Sequence, residues 1–197
     1  MLNKAKFTTR RAFPTAVILW GALLSGCAST AVVLTPSPQA PVCDPTATAL
    51  VLWAPQWRLD QKDVVSREQA AEAGMNDFFR SSGCFARTEL RRVTRLGPAA
   101  VAAELSASND RIDRVVTIEI RELGPVVKLL SSAALVEGST EVVFHVGVHS
   151  PQPGAGAREF AVNWRNGGPG VVKGVESLPA DLSAALRSGL QSTTVPR

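Results

Sequence analysis

The order of apolar patterns along the chain predicts an α+β fold: an α/β two-layer sandwich, with a mixed sheet of about five strands and helices on one face. Three observations lead there. Residues 49–54 (ALVLWA) form a short, nearly all-apolar run. Residues 66–83 and 179–189 carry apolar positions at helical spacing. Residues 114–121, 141–149 and 158–165 alternate apolar with polar.

Ala49 to Ala54, ended by Pro55, fits a strand buried on both faces and the first of the sheet. Ser66-Arg67-Glu68-Gln69 then matches the S-x-x-Q capping box, with Val65 and Ala70 placed as a hydrophobic staple. Ala71, Gly74, Met75, Phe78 and Phe79 give this helix one apolar face, and Gly83 supplies a left-handed stop. Cys84 to Val93 follows as a second strand. Gly97-Pro98 leads into a short alanine-rich helix, Ala99 to Ala107, ended by Asn109-Asp110.

In Arg114 to Arg121, Val116, Ile118 and Ile120 oppose Thr117, Glu119 and Arg121. In Glu141 to His149, Val142, Phe144, Val146 and Val148 oppose Val143, His145, Gly147 and His149. Both are strands with one wetter face. A Pro/Gly turn at 151–156 precedes the strand Arg158 to Arg165, and the chain closes on a helix, Pro179 to Gly189. Its stripe is Leu178, Leu182, Ala185, Leu186 and Gly189.

At the other end of the chain, Leu24-Ser25-Gly26-Cys27 follows the apolar stretch Ala16 to Leu24 and the basic residues Lys4, Lys6, Arg10 and Arg11. This resembles a bacterial lipoprotein signal peptide, cleaved so that Cys27 becomes the acylated first residue. An uncleaved anchor is the other reading, but the stretch falls short of the ~20 residues that span a bilayer. Thr9-Arg10-Arg11-Ala12-Phe13 is also similar to a twin-arginine export signal. An ordinary basic leader fits as well, and it suits a chain whose disulfide forms after export. In the lipoproteins it resembles, an aspartate after the cysteine retains the protein in the inner membrane. Ala28 therefore implies the outer membrane, facing the periplasm.

The predicted organisation is a signal peptide over 1–26, lipidated Cys27 with a Pro-rich tether over 27–47, a single globular domain over 48–191 and a flexible tail over 192–197. A Pro-rich chain before Cys43 would reach about 45 Å. The precursor carries 21 Lys and Arg against 17 Asp and Glu. Four of the basic residues and none of the acidic ones lie in 1–26, so the rest is balanced. Its neutrality speaks against a nucleic-acid partner. Element order, lipobox and closing helix together resemble periplasmic lipoproteins with a fold like the amino-terminal domain of the Tol translocation protein, among them ABC-type transport auxiliary lipoproteins. The resemblance covers about 47–191 and assigns no functional residue.

Candidate chemistry is sparse. His145 and His149 form H-x-x-x-H, which chelates a metal on a helix, but on a strand the rings stand about 13 Å apart. No metal or cofactor is expected. No G-x-S-x-G marks a serine hydrolase, and Gly167-Gly168-Pro169-Gly170 lacks the ending of a phosphate loop, so it reads as a hairpin or strand-to-helix connection. Arg87, Arg91, Arg92 and Arg95 read as a solvated surface, or more sharply as a site for phosphate, lipid headgroups or partner carboxylates. Trp53 reads as core. Trp57 and Arg58 read either as packing under a loop or as an anchor for a protein partner. With Cys27 acylated, Cys43 and Cys84 remain to form a disulfide, the other reading being two buried thiols.

The functional expectation is a non-catalytic outer-membrane lipoprotein, held in the bilayer through Cys27 and acting as a periplasmic binding or assembly module that engages an envelope protein or peptidoglycan-associated machinery. The alternatives are a lipid-handling transport accessory and an envelope enzyme with an unmarked site. Histidines gathered with acids in a cleft would favour the enzyme, a deep apolar cavity the lipid carrier, and an exposed Trp or Arg patch the protein partner.

Cys27→Ser is expected to abolish fatty-acid incorporation and to leave the precursor unprocessed. Metabolic labelling with a fatty acid measures this, and equal label in variant and parent would sink the lipobox reading.

Overall fold

The computed structural model describes residues 28–130, 135–151 and 156–191, with the backbone alone for 127–130 and 135–137. The signal segment, Cys27 and the tail 192–197 lie outside the described residues. Six strands form one mixed sheet in the order β1-β6-β5-β4-β2-β3. They are β1 (Ser29–Thr35), β2 (Asp44–Pro55), β3 (Phe85–Arg92), β4 (Arg114–Leu130), β5 (Leu135–His149) and β6 (Arg158–Pro169). β2 is parallel to both of its neighbours, and every other pairing is antiparallel. The α+β sandwich expected from the sequence is therefore found.

The strand β2 is buried as its composition requires. Ala49, Val51 and Trp53 join the main core, whereas Leu50 and Leu52 alternate to a second, smaller cluster. Helices α1 (Val64–Ser81) and α3 (Leu178–Leu190) cover the first face with the stripes read from the sequence, all of them buried. A Cβ on Gly74 of α1 would lie 2.7 Å from the Pro179 carbonyl and 3.0 Å from Leu182 Cβ, so glycine is what lets α1 and α3 close on each other. The short helix α2 (Pro98–Ser106) brings Val101 and Leu105 onto Leu50, Leu52 and Val115.

Three features differ from the sequence reading. Within 27–47, read as a tether, residues 29–35 are instead an edge strand, registered from Ser29 opposite Gly167 to Thr35 opposite Ala161. Its Leu34 is buried against the main core. The prolines that suggested a tether, Pro36, Pro38, Pro41 and Pro45, all follow this strand, and STAVVLT itself is free of proline and rich in β-branched residues.

α1 also begins earlier than its capping box implied. Asp63 is the N-cap, with a left-handed backbone (φ 54°) and no side-chain cap, so Ser66 lies inside the helix. Val65 is 69% exposed and makes no staple. Arg67, in the first turn, instead donates to the Leu123 carbonyl and pairs with Glu122 at 3.1 Å, tying the helix start to β4.

Finally, β4 and β5 are much longer than their alternating cores. A bulge at Arg121, between the Ile120–Phe144 and Glu122–Val143 pairs, returns Leu123 to the core face beside Val142. Past it the alternation lost in the sequence resumes one residue out of step, and pairing continues to Leu130 opposite Leu135.

Cys43 and Cys84 are disulfide-bonded, with Cα atoms 4.5 Å apart and a sequence separation of 41. The Asp44 amide donates to the Cys84 carbonyl at 2.8 Å, and the Val42 amide to Leu190 at 2.9 Å. The start of β2, the start of β3 and the end of α3 are thereby fastened together. Replacing both cysteines with serine is expected to lower unfolding stability by about 4 kcal/mol in the loop-entropy model. Denaturant unfolding of oxidised parent and double variant measures it, and coincident transitions would mean that the bond constrains nothing.

Candidate functional site

The strands β4, β5 and β6 turn their second face, the one α2 shares, toward solvent, because α2 covers only the β2 side of it. A groove of about 750 Å³ opens between α2 and this uncovered half of the sheet. One wall is apolar, with Leu96, Pro98, Val101 and Leu105. The floor is mixed, with Thr117 and Glu119 from β4, His145 and His149 from β5 and Glu159 from β6 set among Val115 and Ala161.

Strand register sets the floor in rows. Glu119 faces His145, Thr117 faces Gly147, Val115 faces His149, and Glu159 lies beside Gly147 on the other side. Both histidines are on β5 and on one face, as the strand reading placed them. Gly147 lies between them for a steric reason: a Cβ there would meet the Thr117 hydroxyl and come 2.8 Å from His149 Nε2. The imidazole of His149 thus lies back over the glycine.

Histidines and carboxylates do share this groove, the pattern that favours an enzyme. Their contacts are long. Thr117 Oγ1 lies 3.4 Å from His149 Nε2 and 3.4 Å from the Gly147 carbonyl, both long for hydrogen bonds. The hydroxyl proton can serve only one of them. When it goes to the carbonyl, His149 Nε2 donates to Thr117, and when it goes to His149 the ring nitrogen accepts it. Glu119 is held by Arg121 at 2.8 Å rather than aimed at a histidine. Among the described residues, no three His, Cys, Asp or Glu side chains gather in a way that could hold a metal.

Three of the four clustered arginines pair with acidic residues of the fold, and Arg95 is exposed at the surface. Arg91 bridges Glu89 at 2.7 Å and Glu104 of α2 at 2.8 Å, while Ser108 donates to Glu89 at 2.9 Å, so α2 is tied to β3. Burial raises the Glu89 carboxyl, but hydrogen bonds from Ser108 and Arg91, with the charge of Arg91, hold it below the usual carboxylate range. This tie is therefore present at neutral pH and is lost as pH falls through that lowered value. Arg87 pairs with Asp110 at 3.1 Å, and Arg92 pairs with Glu68 at 2.5 Å and lies 5.4 Å over the Trp53 ring.

Trp53 is core, as expected. Trp57 packs its ring against the main core and donates Nε1–H to Glu68 at 3.4 Å, so the packing reading describes this side chain. Arg58 is exposed and lies 3.4 Å from Glu122. Neither lies in the α2 groove. Sequence reading missed that groove, although the wet faces of Arg114–Arg121 and Glu141–His149 had already put Thr117, Glu119, His145 and His149 on the faces that form its floor. What pattern alone withheld was that β4 and β5 pair, and that α2 stops beside them.

No protein-family model matches the sequence, and no curated protein matches it. Among solved structures, the chain is similar to the PelC dodecamer from Paraburkholderia phytofirmans at 14% identity and a TM-score of 0.48, over 82% of this chain and 99% of that one. It is also similar to lipoprotein GNA1162 from Neisseria meningitidis (17%, TM-score 0.37, 71% and 94%). A third is a minor lipoprotein from Acinetobacter baumannii (12%, TM-score 0.21, 57% and 63%). The similar structures thus include bacterial lipoproteins, and identities and scores this low fix no family.

Changing His145 and His149 together to Gln is expected to alter stability by no more than about 0.5 kcal/mol, as for partly exposed polar replacements. Bound zinc should be unchanged. Thermal unfolding and elemental analysis check both, and stoichiometric zinc lost in the double variant would overturn the strand-spacing argument.

Proposed function

We propose that this chain is a non-catalytic lipoprotein of the outer membrane that uses the α2 groove to hold an extended segment of an envelope protein. The groove carries the reading. It is long and open, with an apolar wall for side chains and floor residues Thr117, Glu119, His145 and Glu159 for hydrogen bonds, a combination suited to recognition. The long Thr117–His149 and Thr117–Gly147 contacts and the engagement of Glu119 by Arg121 weigh against catalysis. An acyl-chain carrier would call for a deep enclosed cavity, whereas this groove is open and its floor carries Glu119, Glu159 and both histidines. The lipobox supports anchoring through Cys27, and Ala28 supports the outer membrane facing the periplasm.

Photo-crosslinkers placed at His145 and Ala161 in the groove, and at Arg80 on the α1 surface, test the reading in intact cells. A discrete envelope protein captured from the first two positions and not from the third is expected. Equal capture at all three, or none, would count against the groove as the binding site.

A further inference from the structure

The exposed apolar side chains are not scattered. Among the described residues five large ones are exposed, namely Val33, Leu59, Val65, Val172 and Val175. All but Val33 lie at one end of the sheet. Leu59 is in the loop after β2, which ends opposite Ile120, and Val65 is in the first turn of α1, tied to Glu122 and Leu123. Val172 and Val175 are in the connection from β6 to α3, which follows Gly167 and Gly168 opposite Ser139 and Gly138. The far end of the β4–β5 hairpin points the same way, since its pairing runs on past these positions.

The chain leaves the fold at this end too. Ser29 pairs with Gly167, so only Ala28 separates the first strand from Cys27. Two residues of extended chain reach about 7 Å. An acyl group on Cys27 therefore brings this end of the body to the bilayer surface and leaves no room for a long standoff.

The valines are held outward by the fold. Lys173, next to Val172, turns inward to Asp181 with Nζ 2.8 and 3.1 Å from its carboxylate oxygens. The same carboxylate accepts from Thr140 at 2.6 Å and from Ser177 at 2.9 Å. With Lys173 and Ser177 pinned, Val172 is left 88% exposed. Apolar side chains held toward water are unfavourable unless something covers them. The exposed Arg58 precedes Leu59 on its loop, and a long arginine side chain suits the headgroup region. Charge at this end is mixed, Arg58 lying 3.9 Å from Asp60 and 3.4 Å from Glu122, so attraction to anionic lipid is not the organising force.

We infer that this end is a membrane-docking face: Leu59, Val65, Val172 and Val175 enter the interfacial region of the leaflet that carries the Cys27 acyl chains, so the body stands end-on against the bilayer. The inference rests on acylation at Cys27. It gives the exposed Arg58 a lipid contact in place of a protein partner, while Trp57 stays packed against the core.

The full acylated lipoprotein, reconstituted into vesicles of phosphatidylethanolamine and phosphatidylglycerol, provides the test. Single variants Leu59→Cys and Val172→Cys carry an environment-sensitive fluorophore, as do Ser81→Cys and Arg111→Cys at the opposite end. Quenching by lipids spin-labelled near the headgroup is expected to be at least about threefold stronger at 59 and 172 than at 81 and 111. Replacing phosphatidylglycerol with phosphatidylcholine should leave that ratio unchanged. Equal quenching at the two ends would overturn the inference. So would labels at 59 and 172 that stay in water in vesicles and become shielded only in whole envelopes, which would mark a protein interface. Mass spectrometry of the N-terminus keeps the two ideas apart: an unacylated Cys27 removes the lipoprotein reading, whereas an acylated protein without end-on quenching removes docking alone.

Discussion

Burial of β2 on both faces is the constraint from which the rest of the architecture follows. Leu50, Val51 and Leu52 have no exposed surface, and a strand with apolar side chains on both sides needs cover on both. α1 and α3 supply one layer across most of the sheet. The other layer is α2 alone, a nine-residue helix that reaches Leu50, Leu52 and Val115 and no further. Beyond its edge the sheet must tolerate water. Its residues there are Thr117, Glu119, His145 and Glu159, where the first face has Val116, Ile118, Val146 and Phe160. The groove is thus the margin of a covering layer that is too short, and its mixed lining is the price of solvating one side of a strand pair.

The two ends of the sheet are held in different ways. At one end the disulfide, the Asp44–Cys84 and Val42–Leu190 hydrogen bonds and Arg114, which donates to the Val42 carbonyl at 2.9 Å, gather four chain segments. At the other, Asp181 gathers Thr140, Lys173 and Ser177, and Arg67 gathers α1 and β4. The first set fixes the fold by covalent and backbone links. The second uses charged side chains to hold loops whose apolar residues face outward, which would be a poor arrangement for a body surrounded by water alone.

The sequence disclosed what depends on local period and hid what depends on pairing. The stripes of α1 and α3 and the two-face burial of Ala49–Ala54 were legible because each is a property of one segment. β1 was not, because seven residues of edge strand between a leader and four prolines look like linker until β6 is there to pair with them. The second half of the β4–β5 hairpin was masked by the bulge at Arg121, since one added residue inverts the alternation that marks a strand. The capping box at Ser66 was a local signal overruled by tertiary contact, as Arg67 holds the helix start to Glu122 and Leu123. Of the groove, the residues were legible and their convergence was not. The disulfide needed no geometry, only the count of cysteines left once Cys27 is set aside.

On the proposed function, β1 would link anchoring to recognition. Had residues 29–35 been a tether, the body could tumble freely, and the groove would have no fixed direction relative to the membrane. As an edge strand paired along its whole length with β6, β1 transmits the position of Ser29 to the sheet as a rigid body. The groove runs along β4 and β5 on the face opposite α1 and α3, with Thr35 of β1 at its border. The proposed anchor at the Ser29 end of these same strands would make the groove open sideways, parallel to the membrane, between the end that carries Leu59 and Val172 and the disulfide end. A segment held there would run along the strands, one end toward the lipid and the other toward the periplasm. If Cys27 is acylated as proposed, its short distance to β1 would do more than retain the protein: it would set the angle at which a segment enters the groove.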